Sequence, residues 1–146
     1  MIPDLIDIGG PWKVLPWGIY DATLEEIRTR YATNEKRRVL FRGLENACQA
    51  LKNANCKTVY LDGSYITEKT NPGDYDVCWA THNVDPSKLD PVFLDFTNLR
   101  KNQKDKYRGE FFPANAPADG SNTFMQYFQK DKATGLKKGI IRIQLQ

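Results

Sequence analysis

Two acidic residues set two positions apart in an otherwise apolar run are the strongest constraint on what this chain can fold into. The run is Asp74-Tyr75-Asp76-Val77-Cys78-Trp79. Strands disfavour Asp, and strand alternation places both carboxylates on one face. There they repel each other unless a cation neutralises them. Mg2+, a hard oxygen-seeking ion, suits such a pair, above all when a phosphate completes its shell. The sheet must therefore turn one face at this point toward a polar site.

The residues before the pair strengthen this reading. Thr58-Val59-Tyr60-Leu61 is a short apolar run and predicts a buried strand. Asp62-Gly63-Ser64 breaks it. A brief helical turn from Tyr65 to Glu68 is expected, with Asp62 or Ser64 as its cap. Gly63 lets a ligand approach the backbone closely, and a helix start offers free N–H groups and a positive dipole end to a phosphate. Lys69-Thr70-Asn71-Pro72-Gly73 is a loop by composition. The strand carrying Asp74 and Asp76 should pair with the one before it.

The rest of the chain reads as mixed α and β. Thr23 with Glu26 is a capping box that opens a short helix ending near Arg30. A longer helix follows Thr33-Asn34, with Leu40, Leu44, Ala47, Cys48 and Leu51 as its buried stripe. Glu35, Lys36, Arg37 and Arg38 are expected to face water. Asp85-Pro86-Ser87 looks like a helix start, with helix over much of Leu89 to Tyr107 and a strongly polar far half. Gly109 to Phe112 is expected as a strand stopped by Pro113, Phe124 to Phe128 as a short helix, and Gly139 to Leu145 as a last strand. The expected fold is α+β, a small mixed sheet packed against helices. Residues 1–146 form one domain on this reading, with 1–22 as an extended arm wrapped on it through Trp12, Val14, Leu15, Trp17 and Tyr20.

The 146 residues, 40% of them hydrophobic, can bury a core without disulfides or a structural metal. The net charge of +3 permits an anionic ligand without demanding one. Cys48, Cys56 and Cys78 are odd in number and lack zinc-site spacing, so they read as small buried thiols in a cytoplasmic protein. The N-terminus does not read as a signal peptide, and no stretch approaches the ~18 apolar residues of a membrane span.

The order strand, Gly63-Ser64, spacer, Asp74-Tyr75-Asp76 resembles the signature of minimal nucleotidyltransferases of the DNA polymerase beta superfamily. That motif covers about residues 59 to 79. The wider frame resembles a small bacterial family of nucleotidyltransferase-like proteins. The matching features are Leu15-Pro16-Trp17-Gly18, Thr23-Leu24-Glu25-Glu26, Leu61-Asp62-Gly63-Ser64, Gly73-Asp74-Tyr75-Asp76, Gly109 to Ala114 and Lys138 to Ile141. The resemblance implies a nucleotidyltransferase-like fold and transfer of a nucleoside monophosphate from a nucleoside triphosphate, such as ATP, to a hydroxyl. Asp74 and Asp76 would hold two Mg2+ ions. A third carboxylate is implied on a neighbouring strand, and Glu110 is the candidate, although Asp is more usual there. Gly73 stands where the superfamily often has Ser.

Around this core, Gly63 and Ser64 would cradle phosphate, with Lys69 reaching it from the loop and Arg108 pointing at the triphosphate. The other basic residues from Arg100 to Lys106, together with Lys36-Arg37-Arg38 and Lys137-Lys138, are expected as solvated surface. His82, the only histidine, is expected in a surface loop. The acceptor is either a protein side chain or an RNA end, as in toxin–antitoxin nucleotidyltransferases. The small size, with no added RNA-binding domain, favours protein. The competing readings are a catalytically inactive interaction module, using the aromatic first twenty residues, and a non-catalytic nucleic-acid-binding domain. Against the last, no interleaving of aromatic and basic residues is evident along the chain. The oligomeric state is open.

Overall fold

The computed structural model describes residues 1–146. Its elements in chain order are β1 (Ile19–Asp21), α1 (Leu24–Tyr31), α2 (Glu35–Asn53), β2 (Thr58–Asp62), β3 (Tyr75–Trp79), α3 (Thr97–Tyr107), β4 (Gly109–Pro113), α4 (Phe124–Tyr127) and β5 (Ile140–Gln144), with single 3-10 turns at Ser64–Ile66 and Pro91–Leu94. The mixed α+β expectation holds. The strands form one five-stranded sheet in the order β1-β5-β2-β3-β4. β2 pairs antiparallel with both β3 and β5, while β1–β5 and β3–β4 are parallel.

Alternation divides the sheet into two faces. Val59, Leu61, Tyr75, Val77, Trp79, Phe111, Ile141 and Ile143 point into the main core with the apolar stripe of α2, Ile27 of α1 and Tyr107 of α3. On the opposite face Cys78 and Phe112 pack with Ala114 and Phe128 beside α4, and Tyr60 leans on that cluster. This second cluster covers only part of its face. The remainder carries Asp62, Asp76 and Glu110, each register-paired with the next across β2, β3 and β4.

The predicted caps form. Thr23 and Glu26 make both bonds of the capping box, and Asn34 caps α2 by accepting from Arg37 N. Thr123 and Gln126 build a second box at α4. The N-terminal arm is held by an antiparallel bridge between Ile6 and Val14, by burial of Val14 and Leu15, and by Arg30, which donates to the carbonyls of Ile2 and Pro3. The arm also supplies β1. Its Gly and Pro content hides that strand, which is short and lies at the sheet edge, where few ladder bonds are required. All three cysteines are free and buried, as expected.

Four expectations are corrected. Arg37 does not face water. It is buried and donates to the carbonyls of Tyr31, Tyr65, Thr67 and Lys69. A guanidinium satisfies several backbone acceptors at once, and this one ties α2 to the loop that follows the Gly-Ser turn. Neither Asp62 nor Ser64 caps the 3-10 turn, which has no side-chain cap. The predicted helix over Leu89 to Tyr107 is broken. Pro91 opens a 3-10 turn capped by Asp90, and Asn98, Leu99 and Arg100 at the head of α3 lie in the left-handed region at φ 51°, 55° and 62°. Left-handed backbone costs about 1–2 kcal/mol per residue outside glycine. Here Asp95 anchors the bend by accepting from Thr97 and Asn102, and Arg100 reaches Glu110.

The polar run that follows is not wholly a solvated face. Gln103 is fully buried, donating to Val92 O and accepting from Phe111 N. It ties α3 to β4 and to the 3-10 turn at Pro91. A further correction, at Lys138, belongs with the site.

Candidate functional site

β2 ends on Asp62 and the chain turns at Gly63 with φ +92°, a backbone conformation that favours glycine. A Cβ built on Gly63 would lie 3.0 Å from Asp76 Oδ2 and 3.2 Å from Asp76 N. The glycine therefore lets the Gly-Ser turn close directly onto the second carboxylate of the Asp-x-Asp strand. This gives Gly63 a folding role beside any ligand role. Gly63→Val should lower stability by more than about 2 kcal/mol as well as weaken ligand binding. A melting temperature equal to the parent's would refute the close packing.

The turn, Asp62 and Asp76 line a cavity of about 160 Å³ together with Trp12, Tyr127, Lys132 and Lys138. Lys138 corrects the surface expectation. Its side chain is 12% exposed and its Nζ lies 3.0 Å from Asp62 Oδ1, while the Asp62 side chain is 4% exposed. The two form an ion pair by distance, but the ammonium is out of line for a hydrogen bond, and Oδ1 accepts none.

Asp62 was not foreseen as a site residue. The signal was available, since an Asp ending an apolar strand two positions after Tyr60 must share that residue's face. Lys138 carried no such signal: the approach of β5 to β2 brings it in from the far end of the chain.

The electrostatics are strained toward neutrality. Burial, followed by repulsion from Asp62, Asp74 and Glu110 and opposed by Lys132, pushes the Asp76 carboxyl up to about 8. Asp74 stands one residue before β3 and is half-buried. Burial raises its carboxyl, Glu110 adds to this, and Lys104, Lys36 and Lys69 oppose it. Asp62 is raised by burial against the pull of Lys138.

Glu110 lies on the strand beside Asp76 and register-opposite to it, with Phe111 turned into the main core. Its carboxylate is engaged, with Arg100 Nε and Lys104 Nζ each at 3.0 Å, and it does not line the cavity. The cations that meet an acid here come from the predicted basic run, but they are Arg100 and Lys104. Arg108 is the exposed, left-handed C-cap of α3. Lys69 stacks its ammonium 5.3 Å from the centre of the Trp12 ring. Ser64 lines the cavity. His82 is exposed, as expected.

The fit to Mg2+ is partial. Asp76 and Asp62 line the cavity and have the hard oxygen chemistry that the ion requires, while Asp74 does not line it; the mutual repulsion around Asp76 is of the kind a cation relieves. No three carboxylate, thiol or imidazole groups converge as a finished metal site, and Glu110 as placed is not available to one.

No helix is long and apolar enough to cross a membrane. No curated protein and no solved structure significantly matches the chain. A family profile does match, over residues 11–144, and takes in every residue of the site described here. The chain belongs to that family, which is described as a family of unknown function (DUF6932).

Proposed function

We propose that the chain is a nucleotidyltransferase that moves a nucleoside monophosphate from a nucleoside triphosphate to an acceptor hydroxyl. The observation that carries this reading is the closure of Gly63 onto Asp76, beside a cavity lined by the Gly-Ser turn, the carboxylates of Asp62, Asp76 and Asp131 and the ammonium groups of Lys130, Lys132 and Lys138. Lys132 and Lys138 line the cavity with Gly63 and Ser64 and would hold phosphate oxygens. Asp74 and Asp76 would hold Mg2+, which when bound neutralises the carboxylates and the developing phosphate charge. In the reaction the acceptor oxygen bonds to the α-phosphorus, the bond from that phosphorus to the bridging oxygen breaks, pyrophosphate leaves, and the hydroxyl proton passes to a carboxylate oxygen. The test is incubation with each α-labelled triphosphate, Mg2+ and cell lysate, followed by protease or ribonuclease digestion. Label should enter a macromolecule and be absent with Asp76→Asn. No incorporation from any triphosphate would refute the reading.

A second reading, a catalytically inactive interaction module, is favoured by one specific observation: Glu110 is already neutralised by Arg100 and Lys104. Glu110→Gln separates the two. If Glu110 is released to act as a third ligand, the variant should bind Mg2+-nucleotide normally and transfer about a hundredfold more slowly. A variant that transfers at the parent rate but melts lower assigns Glu110 to the structural pairing alone.

A further inference from the structure

The cavity at Asp76 is the closed end of a longer trough. It adjoins a second cavity of about 310 Å³, with Tyr127, Lys130, Asp131 and Lys132 common to both, and that one adjoins a third of about 540 Å³ through Lys130 and Gly135. The far end is lined by Trp17 and Lys137. Aromatic rings and ammonium groups alternate along this path. Lys132 lies 5.6 Å from the Tyr127 ring centre and Lys137 4.3 Å from that of Trp17, with Lys69 over Trp12 at the closed end. Trp17 is 60% exposed, so the part of its ring that Lys137 does not cover is open to a ligand.

The lysines are held there at a cost. Residues 129–138 double back on themselves through hydrogen bonds from Lys138 N to Gln129 O and from Asp131 N to Leu136 O. An antiparallel bridge sets Lys130 directly opposite Lys137. Like charges directly opposed across a strand pair destabilise it. Neither lysine is in an ion pair: those of this region run from Lys138 to Asp62 and from Arg142 to Asp21, and Asp131, next to Lys130 in the chain, accepts from Thr134 N and Oγ1. Unpaired, opposed ammonium groups interleaved with open aromatic faces are the chemistry that binds a flexible chain of phosphates and bases.

We propose that this trough binds a single-stranded polynucleotide, its phosphates on Lys130, Lys132 and Lys137 and a base stacked on Trp17, with one end of the strand directed toward Asp76. The trough shares Lys130 and Lys132 with the triphosphate cavity and extends beyond it to Lys137 and Trp17, and binding to it requires no catalysis. The strand also fits the role of acceptor, against the expectation from sequence that a protein side chain would be modified.

The test uses the full chain without triphosphate and follows the fluorescence anisotropy of labelled fifteen-residue oligouridylate and oligodeoxyuridylate. Both are expected to bind at low salt, and a difference between them tells which sugar the trough prefers. Trp17→Ala should weaken binding about tenfold or more. Lys130→Gln/Lys137→Gln should weaken it further and flatten the log–log salt dependence by roughly one to one and a half, while its melting temperature holds or rises because the opposed charges are gone. That opposite movement of affinity and stability excludes simple misfolding. Failure of the parent to bind either oligomer, or equal binding by the double variant, would overturn the proposal. Displacement by polyglutamate at equal affinity together with indifference to Trp17→Ala would also overturn it, and would reassign the surface to anions in general. A transfer assay that fails while the oligomers bind leaves this proposal standing and removes only the nucleotidyl-transfer reading.

Discussion

Asp76→Asn should abolish nucleotidyl transfer and yield a protein more stable than the parent at pH 8. The two effects share one cause. Asp76 is half-buried and crowded by Asp62, Asp74 and Glu110, and its carboxyl is raised from an ordinary 3.8 to about 8. Between those values the unfolded chain has released this proton and the folded chain retains it, so the folded state binds more protons and its stability falls as pH rises. The deficit attributable to Asp76 is absent below about pH 4, grows through neutrality and is complete above about pH 8. Asn removes it. The stability difference between variant and parent should therefore widen from pH 4 to pH 8, reaching on the order of a few kcal/mol, and then level off. Urea unfolding of both proteins across that range measures it. In activity the loss should exceed a thousandfold, since a neutral amide neither holds a cation nor takes a proton. A variant that is less stable at pH 8 than at pH 5 relative to the parent would show that the carboxylates are not crowded as described.

Arg37→Met should come close to unfolding the protein. Arg37 is a buried cation with no carboxylate beside it, and it answers the carbonyls of Tyr31, Tyr65, Thr67 and Lys69. Its guanidinium also lies 5.1 Å from the centre of the Tyr65 ring, whose hydroxyl donates back to the Arg37 carbonyl. Methionine fills similar space but leaves these acceptors unanswered in a buried place. At roughly 1–3 kcal/mol for each unsatisfied group, and with partial relief by water, a loss of about 3–5 kcal/mol is expected against a total stability of about 5–15 kcal/mol. Arg37→Lys should recover little, because a single ammonium does not span the fork that reaches all of these carbonyls. Because Arg37 grips the loop joining Gly63-Ser64 to Asp74, nucleotide affinity should fall along with stability. A thermal midpoint within a degree or two of the parent's would mean that the loop is held by something else.

What the chain's own order of residues determined is local. Capping boxes at Thr23, the stripe of α2 and the apolar runs at β2 and β3 follow from periodicities of a few residues, and they form as predicted. The pairing of β2 with β3 was legible because adjacency of consecutive strands is a short-range rule, whereas the place of Glu110 beside Asp76 was implied only by the resemblance. What only the tertiary structure decided is which polar groups meet across long separations. Arg37 reads as one of several charged residues in a first helical turn until α2 packs over the loop at Tyr65 to Lys69. Lys138 reads as surface until β5 pairs with β2 and carries it to Asp62. Arg100 and Lys104 read as a solvated helix face until α3 lies beside β4 and brings them to Glu110. The aromatic and basic residues of the trough are not interleaved along the chain at all. They become so because the arm bearing Trp12 and Trp17 lies beside the segment from Tyr127 to Lys138. Local preference is set by neighbours within a turn or two, whereas these meetings depend on the sheet order, which no local pattern encodes.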